Sequence, residues 1–185
     1  MAERVCPVWV GYLLASPLRK LIENPDKILS DYIKPNMTVL DVGCAMGYFT
    51  LAAAKLNSPG GKVIAVDLQQ KMINSLNRRI SRTNLTDRIE TRVCTENSLK
   101  IDDLIGQIDF ALAFYVVHEV PDPEKLFNQI YKSLKPGGQF LIAEPRGHIT
   151  ADQFKTSIDL ALKTGFEFIE NPKIKRARTC LLQKN

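Results

Sequence analysis

The sequence predicts an α/β fold built on a mostly parallel sheet of seven strands, and three observations carry that expectation. From residue 37 onward, short β-rich runs alternate with helical stretches, the pattern of parallel strands joined by crossover helices. The length, 185 residues, matches one domain, and a chain of that size hides roughly 70% of its unfolded surface. A core can therefore form without disulfides or metals. Hydrophobic residues at 45% and charged residues at 24% are ordinary for a globular protein, which excludes disorder and fibrous repeats.

The first 36 residues read as a helical preface, with Asn24 as a helix cap and Pro25 at the first helical position. Strands follow at Thr38 to Val42, Lys62 to Asp67, Ile89 to Cys94, Ile108 to Tyr115 and Gln139 to Glu144. Helical stretches lie between them at Tyr48 to Leu56, Gln70 to Thr83, Ile101 to Ile105 and Pro123 to Leu134. Pro136-Gly137-Gly138 reads as a turn before the fifth strand. A helix over Ala151 to Lys163 precedes two last strands, Glu167 to Glu170 and Ile174 to Leu182. Only the Asn171-Pro172 region separates that pair, too little for a crossover helix, so the last strand is expected to run antiparallel.

The strongest chemical signal is the run Val39 to Thr50, V-L-D-V-G-C-A-M-G-Y-F-T. A strand ends in a small-residue turn that opens directly into a helix, and Gly43 and Gly47 permit backbone conformations and close approach that a Cβ obstructs. The second strand, V-I-A-V-D, ends in Asp67 at the spacing expected of a ribose-binding acid. The plain alternative is an ordinary tight turn and a solvated Asp. The dinucleotide fingerprint G-x-G-x-x-G is not met, since Ala45 and Tyr48 occupy its second and third glycine positions.

These residues resemble the class I S-adenosylmethionine-dependent methyltransferases, whose first motif runs acid-x-Gly-x-Gly-x-Gly. Asp41, Gly43 and Gly47 match it, and Ala45 replaces the middle glycine. The resemblance extends through Asp67-Leu68 and the stretch Ile108 to Pro145, covering about residues 25 to 182. It implies a Rossmann-like three-layer α/β/α sandwich with strand order 3-2-1-4-5-7-6. It also implies S-adenosylmethionine as cofactor and S-adenosylhomocysteine as product. Asp41, Gly43, Cys44, Ala45 and Gly47 would contact the amino-acid part of the cofactor, Asp67 the ribose and Leu68 the adenine. The family places an acid after its third strand to bind the adenine amino group; here Thr95 holds that position, leaving Thr95, Glu96 or Asn97 for the role. Phe114 and Tyr115 are expected at the boundary between cofactor and acceptor.

A sulfonium is already a strong methyl donor, so the protein's work is positioning, desolvation and, where the acceptor carries a proton, its removal. Tyr115, His118 and His148 are the catalytic candidates, with Glu119, Glu144 and Arg146 beside them. His118 reads either as a base or as a helix-capping and packing residue. His148 reads as functional or exposed, and Glu144 as functional or as the end of its strand.

The four cysteines, Cys6, Cys44, Cys94 and Cys180, are far apart with no C-x-x-C pair. A zinc site and a disulfide framework are thus disfavoured, no metal is expected, and a reducing cytoplasmic setting is. No apolar run reaches the roughly 18 residues of a membrane span. The stretch Val5 to Ala15 is broken by Pro7 and lacks a cleavage site, so no secretory leader is expected. Residues 1–24 are expected to be a helical cover that lies over the substrate, docks on the sheet or pairs two copies as a homodimer; residues 25–185 form one catalytic domain.

The net charge is +5. All 20 acids are matched by bases up to Glu170, and the excess sits on Lys173, Lys175, Arg176, Arg178 and Lys184. A neutral body without stacking aromatics at its basic end makes a nucleic-acid partner unlikely and favours a small-molecule acceptor. An RNA or protein acceptor, a non-catalytic binding subunit and a nicotinamide dehydrogenase are the competing readings. Lys173 and Lys175 are expected at a hairpin rim, with Arg176 and Arg178 alternating onto one face of the last strand, where they attract an anion or pair with Glu167 and Glu170.

Overall fold

The structure, a computed structural model, describes residue 19 and residues 23–185. Of the expected N-terminal cover only Arg19, Glu23 and Asn24 fall among them, and the rest lies outside the described residues. The seven strands form a sheet of order β3-β2-β1-β4-β5-β7-β6 with helices between them, the Rossmann-like arrangement expected. The chain divides into two compact units, Met1–Cys94 and Thr95–Asn185.

The first unit contains α1 (Pro25–Leu29), β1 (Thr38–Val42), α2 (Tyr48–Leu56), β2 (Lys62–Asp67), α3 (Gln70–Ile80) and β3 (Ile89–Val93). Asn24 caps α1 as expected, its Oδ1 accepting the N–H groups of Asp26 and Lys27. The strands pair parallel, β1 with β2 and β2 with β3. β1 and β2 are buried along almost their whole length, which is why they read as continuous apolar runs and not as alternating ones. Helix α3 buries Met72, Ile73, Leu76 and Ile80, a stripe at helical spacing.

Asn57, fully buried after α2, ties this unit together. Its Nδ2 donates to the carbonyls of Met37 and Lys62 at 3.0 Å each, and its Oδ1 accepts from Arg88. One amide thus binds the approaches to β1 and β2 to the segment before β3.

The second unit contains β4 (Ile108–Phe114), α4 (Pro123–Ser133), β5 (Leu134–Pro145), α5 (Ala151–Thr164), β6 (Phe166–Glu170) and β7 (Ala177–Lys184). β4 and β5 pair parallel, while β7 runs antiparallel to both β5 and β6. Phe110, Phe127 and Phe140 are buried at its centre.

Several features differ from the sequence reading, among them the bounds of β7, which runs from Ala177 to Lys184 and not from Ile174 to Leu182. Pro136-Gly137-Gly138 is no turn outside the strand: β5 starts at Leu134, which pairs with Ile108, and the register shifts before Gln139 pairs with Phe110. A bulge absorbs the proline and the left-handed Gly137. Ile101 to Ile105 holds only a 3₁₀ turn, Asp102–Leu104. The link between β6 and β7 runs over residues 171–176, longer than the two residues expected. Arg176 belongs to that link with φ of 64°, so it does not alternate with Arg178 on β7.

Replacing Asn57 by Ala strips hydrogen bonds from two carbonyls and removes the Arg88 acceptor. A loss of about 1 to 3 kcal/mol is expected, read from the urea midpoint of the purified variant.

Candidate functional site

In the first unit the turn after β1 alternates its backbone handedness. Gly43, Ala45 and Gly47 all have positive φ, at 70°, 47° and 82°. This explains why three glycines two apart suit the turn and what Ala45 costs, since a Cβ meets the following carbonyl in that region. A Cβ on Gly47 would also collide with Cδ1 of Leu76 on α3. The glycine at 47 is therefore required by packing within the unit, besides any ligand. Strand edges hold the turn: the N–H groups of Gly43 and Cys44 both donate to the Val66 carbonyl, at 2.9 and 3.0 Å.

Asp67, 8% exposed at the end of β2, accepts the Ala45 N–H at 2.8 Å through Oδ2 and the Gln69 N–H at 2.8 Å through Oδ1. A carboxylate offers about four lone-pair sites, so each oxygen retains capacity for a ligand hydroxyl. Asp41, 2% exposed, accepts the Thr50 hydroxyl at 2.5 Å. Burial raises its pKa to about 7 against this hydrogen bond, and the charge of Asp67 pushes the same way. Burial raises Asp67 too, opposed by its two backbone donors. Two buried carboxylates, both easier to ionise beside a positive charge, with open lone pairs and a glycine turn, fit a cationic, ribose-bearing cofactor. Leu68 follows Asp67 half-buried. The Cys44 thiol is buried and raised well above its ordinary value by desolvation, which makes it a packing group.

Tyr48 opens α2 and donates its hydroxyl to the Glu23 carbonyl at 2.7 Å. The Arg19 guanidinium lies 4.6 Å over its ring and pairs with Glu23 at 2.8 Å. No sequence pattern marks this connection, because the partners are 25 residues apart and one is a backbone carbonyl.

The second unit holds a separate set of groups. Thr95 and Ser98 close a tight turn on each other, leaving Thr95, Glu96 and Asn97 exposed on it. Phe114 ends β4, buried, with its ring 4.5 Å from that of Tyr115. Tyr115 extends the β4–β5 pairing by donating its N–H to Ala143 while turning the chain with φ of 63°.

The following 3₁₀ turn, Val117–Glu119, is anchored by Glu144 of β5. Glu144, 2% exposed, accepts the Val117 N–H at 2.9 Å through Oε1 and meets His118 Nδ1 at 2.5 Å through Oε2. Glu144 does more than end its strand. It fixes the His118 ring, with Nδ1–H donating, so that Nε2 is left as the free nitrogen. Glu119 Oε1 stands 4.0 Å from that Nε2. The hydrogen bond to Glu144 raises the His118 pKa, with burial opposing it. His148 is exposed, and its ring is perpendicular to that of His118 at 6.1 Å.

Cys180 is buried and its thiol raised to about 12 by desolvation. Among the described residues no group of His, Cys, Asp and Glu could hold a metal ion, and no helix is long and apolar enough to cross a membrane. Sequence reasoning passed over Thr50 as the partner of Asp41 and the backbone donors of Asp67; an acid two residues before a glycine turn, with a hydroxyl nine residues on, is the nearest sequence signal.

Comparison with known proteins matches residues 33–181 to the family described as a methyltransferase domain. A curated relative, an uncharacterized 37.1 kDa protein in transposon TN4556 of Streptomyces fradiae, is 32% identical over 77% of this chain and 41% of its own length. Demethylmenaquinone methyltransferase of Lactobacillus johnsonii is 31% identical over 60% of this chain and 45% of its own. The chain thus spans less than half the length of these relatives. Among solved structures, a SAM dependent methyltransferase from Aquifex aeolicus shares the fold with a TM-score of 0.86 at 21% identity, covering 98% of this chain and 100% of that one.

Two expectations follow from the glycine turn. Ala45→Gly relieves a left-handed alanine and leaves stability unchanged or raises it by up to about 1 kcal/mol, the unfolded chain's added freedom offsetting part of the gain. Gly47→Ala lowers it by about 2 kcal/mol or more; chemical denaturation of both variants checks the contrast. A third concerns Asp41. Its folded pKa lies above its ordinary 3.8, so folding takes up a proton. That contribution is complete below the unfolded value and is lost as pH rises through about 7. The ligand-free chain should therefore lose stability from about pH 4 to about pH 7, by at most about 1.4 kcal/mol per unit. Asp41→Asn should flatten that slope in thermal unfolding.

Proposed function

Because the chain belongs to the methyltransferase-domain family, we propose that it transfers the methyl group of S-adenosylmethionine to a small-molecule acceptor. The carrying observation is the pair Asp41 and Asp67 around the left-handed turn Gly43 to Gly47, a buried anionic cradle with hydrogen-bonding capacity left over. When bound, the cofactor supplies an electrophilic methyl on sulfur and leaves as S-adenosylhomocysteine.

In this proposal Asp67 keeps its two backbone donors and accepts the ribose hydroxyls with its remaining lone pairs. Gly43, Cys44, Ala45 and Gly47 present backbone to the amino-acid part, and the start of α2, whose cap Gly47 offers no side chain, favours a carboxylate there. Asp41 stays ionised beside a cationic ligand. Leu68 packs on adenine, and Thr95, Glu96 or Asn97 serves its amino group. Phe114 contributes an apolar wall.

His118 takes the proton released by an acceptor hydroxyl, amine or thiol at Nε2, while Glu144 holds its tautomer and stabilises the imidazolium that forms. Tyr115 and His148 orient the acceptor. The small-molecule class is supported by the charge balance up to Glu170 and by the absence, among the described residues, of any inserted domain between the strands. The buried thiols of Cys44 and Cys180 suit the reducing cytoplasm that we propose as its setting. Pairing of two copies through residues 1–24 belongs to the same proposal.

The test is a screen of acceptor classes with labelled methyl donor, joined to cofactor binding by calorimetry. S-adenosylmethionine should stabilise the chain against heat where NAD does not, and the reverse result overturns the reading. Asp67→Ala removes the ribose acceptor and the tie to Ala45, so affinity should fall by at least about 100-fold; unchanged affinity places the cofactor elsewhere.

A further inference from the structure

The five cations in excess stand in or next to one cleft of the second unit, apart from Lys184. A cavity of about 670 Å³ is lined by Arg146 after β5, Lys173 and Lys175 in the β6–β7 link, and Arg178 on β7. No acidic residue lines it. None of these four side chains forms an ion pair with a described acid. Glu167 instead accepts from Asn185, so the pairing that would have neutralised the basic end is not made there.

The cleft is held in shape by its own backbone. Arg146 N–H donates to the Arg176 carbonyl at 3.0 Å, Ile174 N–H to Pro172 at 3.1 Å and Ala177 N–H to Ile174 at 3.2 Å. The Thr179 hydroxyl donates to the Pro172 carbonyl. Each guanidinium is also oriented: Arg146 Nε donates to the Ala177 carbonyl at 2.9 Å and Arg178 Nε to the Ile149 carbonyl at 3.0 Å. A guanidinium has five donors, so both keep their terminal N–H groups for a ligand. Phe154, Pro172 and Ile174 give the same cleft an apolar wall.

Four like charges with no acid in the lining repel one another unless an anion joins them. Two oriented guanidinium forks match phosphate oxygens in geometry, and lysines add point charge. The volume suits a small molecule. Glu144 accepts from Val117 and meets His118, Asp152 lies in the first turn of α5 and Glu170 ends β6, and none of the three is in the lining. Arg178 lies directly opposite Glu144 in the β5–β7 ladder, and opposed residues project from the same face. The cationic cleft and the Glu144–His118 pair therefore share one face of the second unit.

We propose that this cleft binds the phosphate end of a small organic phosphate, which is the methyl acceptor. The binding claim stands on the cleft alone, and the word acceptor rests on the transferase reading above.

The experiment uses the full chain and inorganic pyrophosphate as probe, by calorimetry at constant ionic strength set with sodium chloride. One saturable site is expected, weakened by at least about tenfold in Arg146→Gln/Arg178→Gln and also weakened in Lys173→Gln/Lys175→Gln, whose two exposed side chains carry no packing. S-adenosylmethionine affinity, measured in the same samples, should stay within about twofold of the parent and certifies folding. No saturable site, or pyrophosphate affinity equal to the parent's in either double variant, overturns the proposal. Capture by phosphatidic-acid vesicles or by an RNA oligonucleotide without a pyrophosphate site overturns it in favour of a membrane or nucleic-acid partner. A pyrophosphate site in a chain that does not bind S-adenosylmethionine upholds the cleft and overturns the transferase reading instead.

Discussion

The Asp67 carboxylate holds the N–H of Ala45 on one oxygen and the N–H of Gln69 on the other, and the geometry of the first unit follows from that clamp. It joins the turn after β1 to the turn after β2, two segments 22 residues apart. The turn meets the clamp with left-handed backbone at residues 43, 45 and 47. Gly47 then brings the start of α2 so close to Leu76 that no Cβ fits. A carboxylate kept buried by its own protein is costly unless hydrogen-bonded. The two amide donors offset part of that cost.

A second buried carboxylate organises the other unit in the same manner. Glu144 satisfies a backbone N–H and a histidine nitrogen at once, so the turn after β4 and the orientation of His118 are set by one side chain. Burial explains why the two acids of the cradle carry raised pKa values, and the short contact to Glu144 explains the rise at His118. Charge in each unit is thus placed where the protein leaves it partly uncompensated, at the end of strands, which is where α/β sheets take their ligands.

The basic end shows the same economy on the surface. A charge excess that composition alone assigned to the whole chain is, apart from Lys184, confined to the β6–β7 link and its neighbours. Arg146 joins it from a distant part of the sequence, and Arg176 leaves the strand because its backbone turns left-handed before β7 begins.

What the sequence determined by itself is the order of the strands and of the main helices along the chain. β1, β2, α2 and the start of α4 fall where apolar runs, Pro25 and Pro123, and the glycine turn place them, because periodicity and turn chemistry are local properties. Asp41, Asp67 and the glycines stand at the strand and turn positions expected of them for the same reason: their spacing along the chain is the spacing of a strand, a turn and a helix. Only the tertiary structure decided the bulge at Pro136-Gly137-Gly138, the service of Glu144 to His118, the donors of Asp67 and the joining of Arg146 with Lys173, Lys175 and Arg178. Each depends on strand register or on a backbone donor, and neither has a sequence signature, since pairing distant segments sets both.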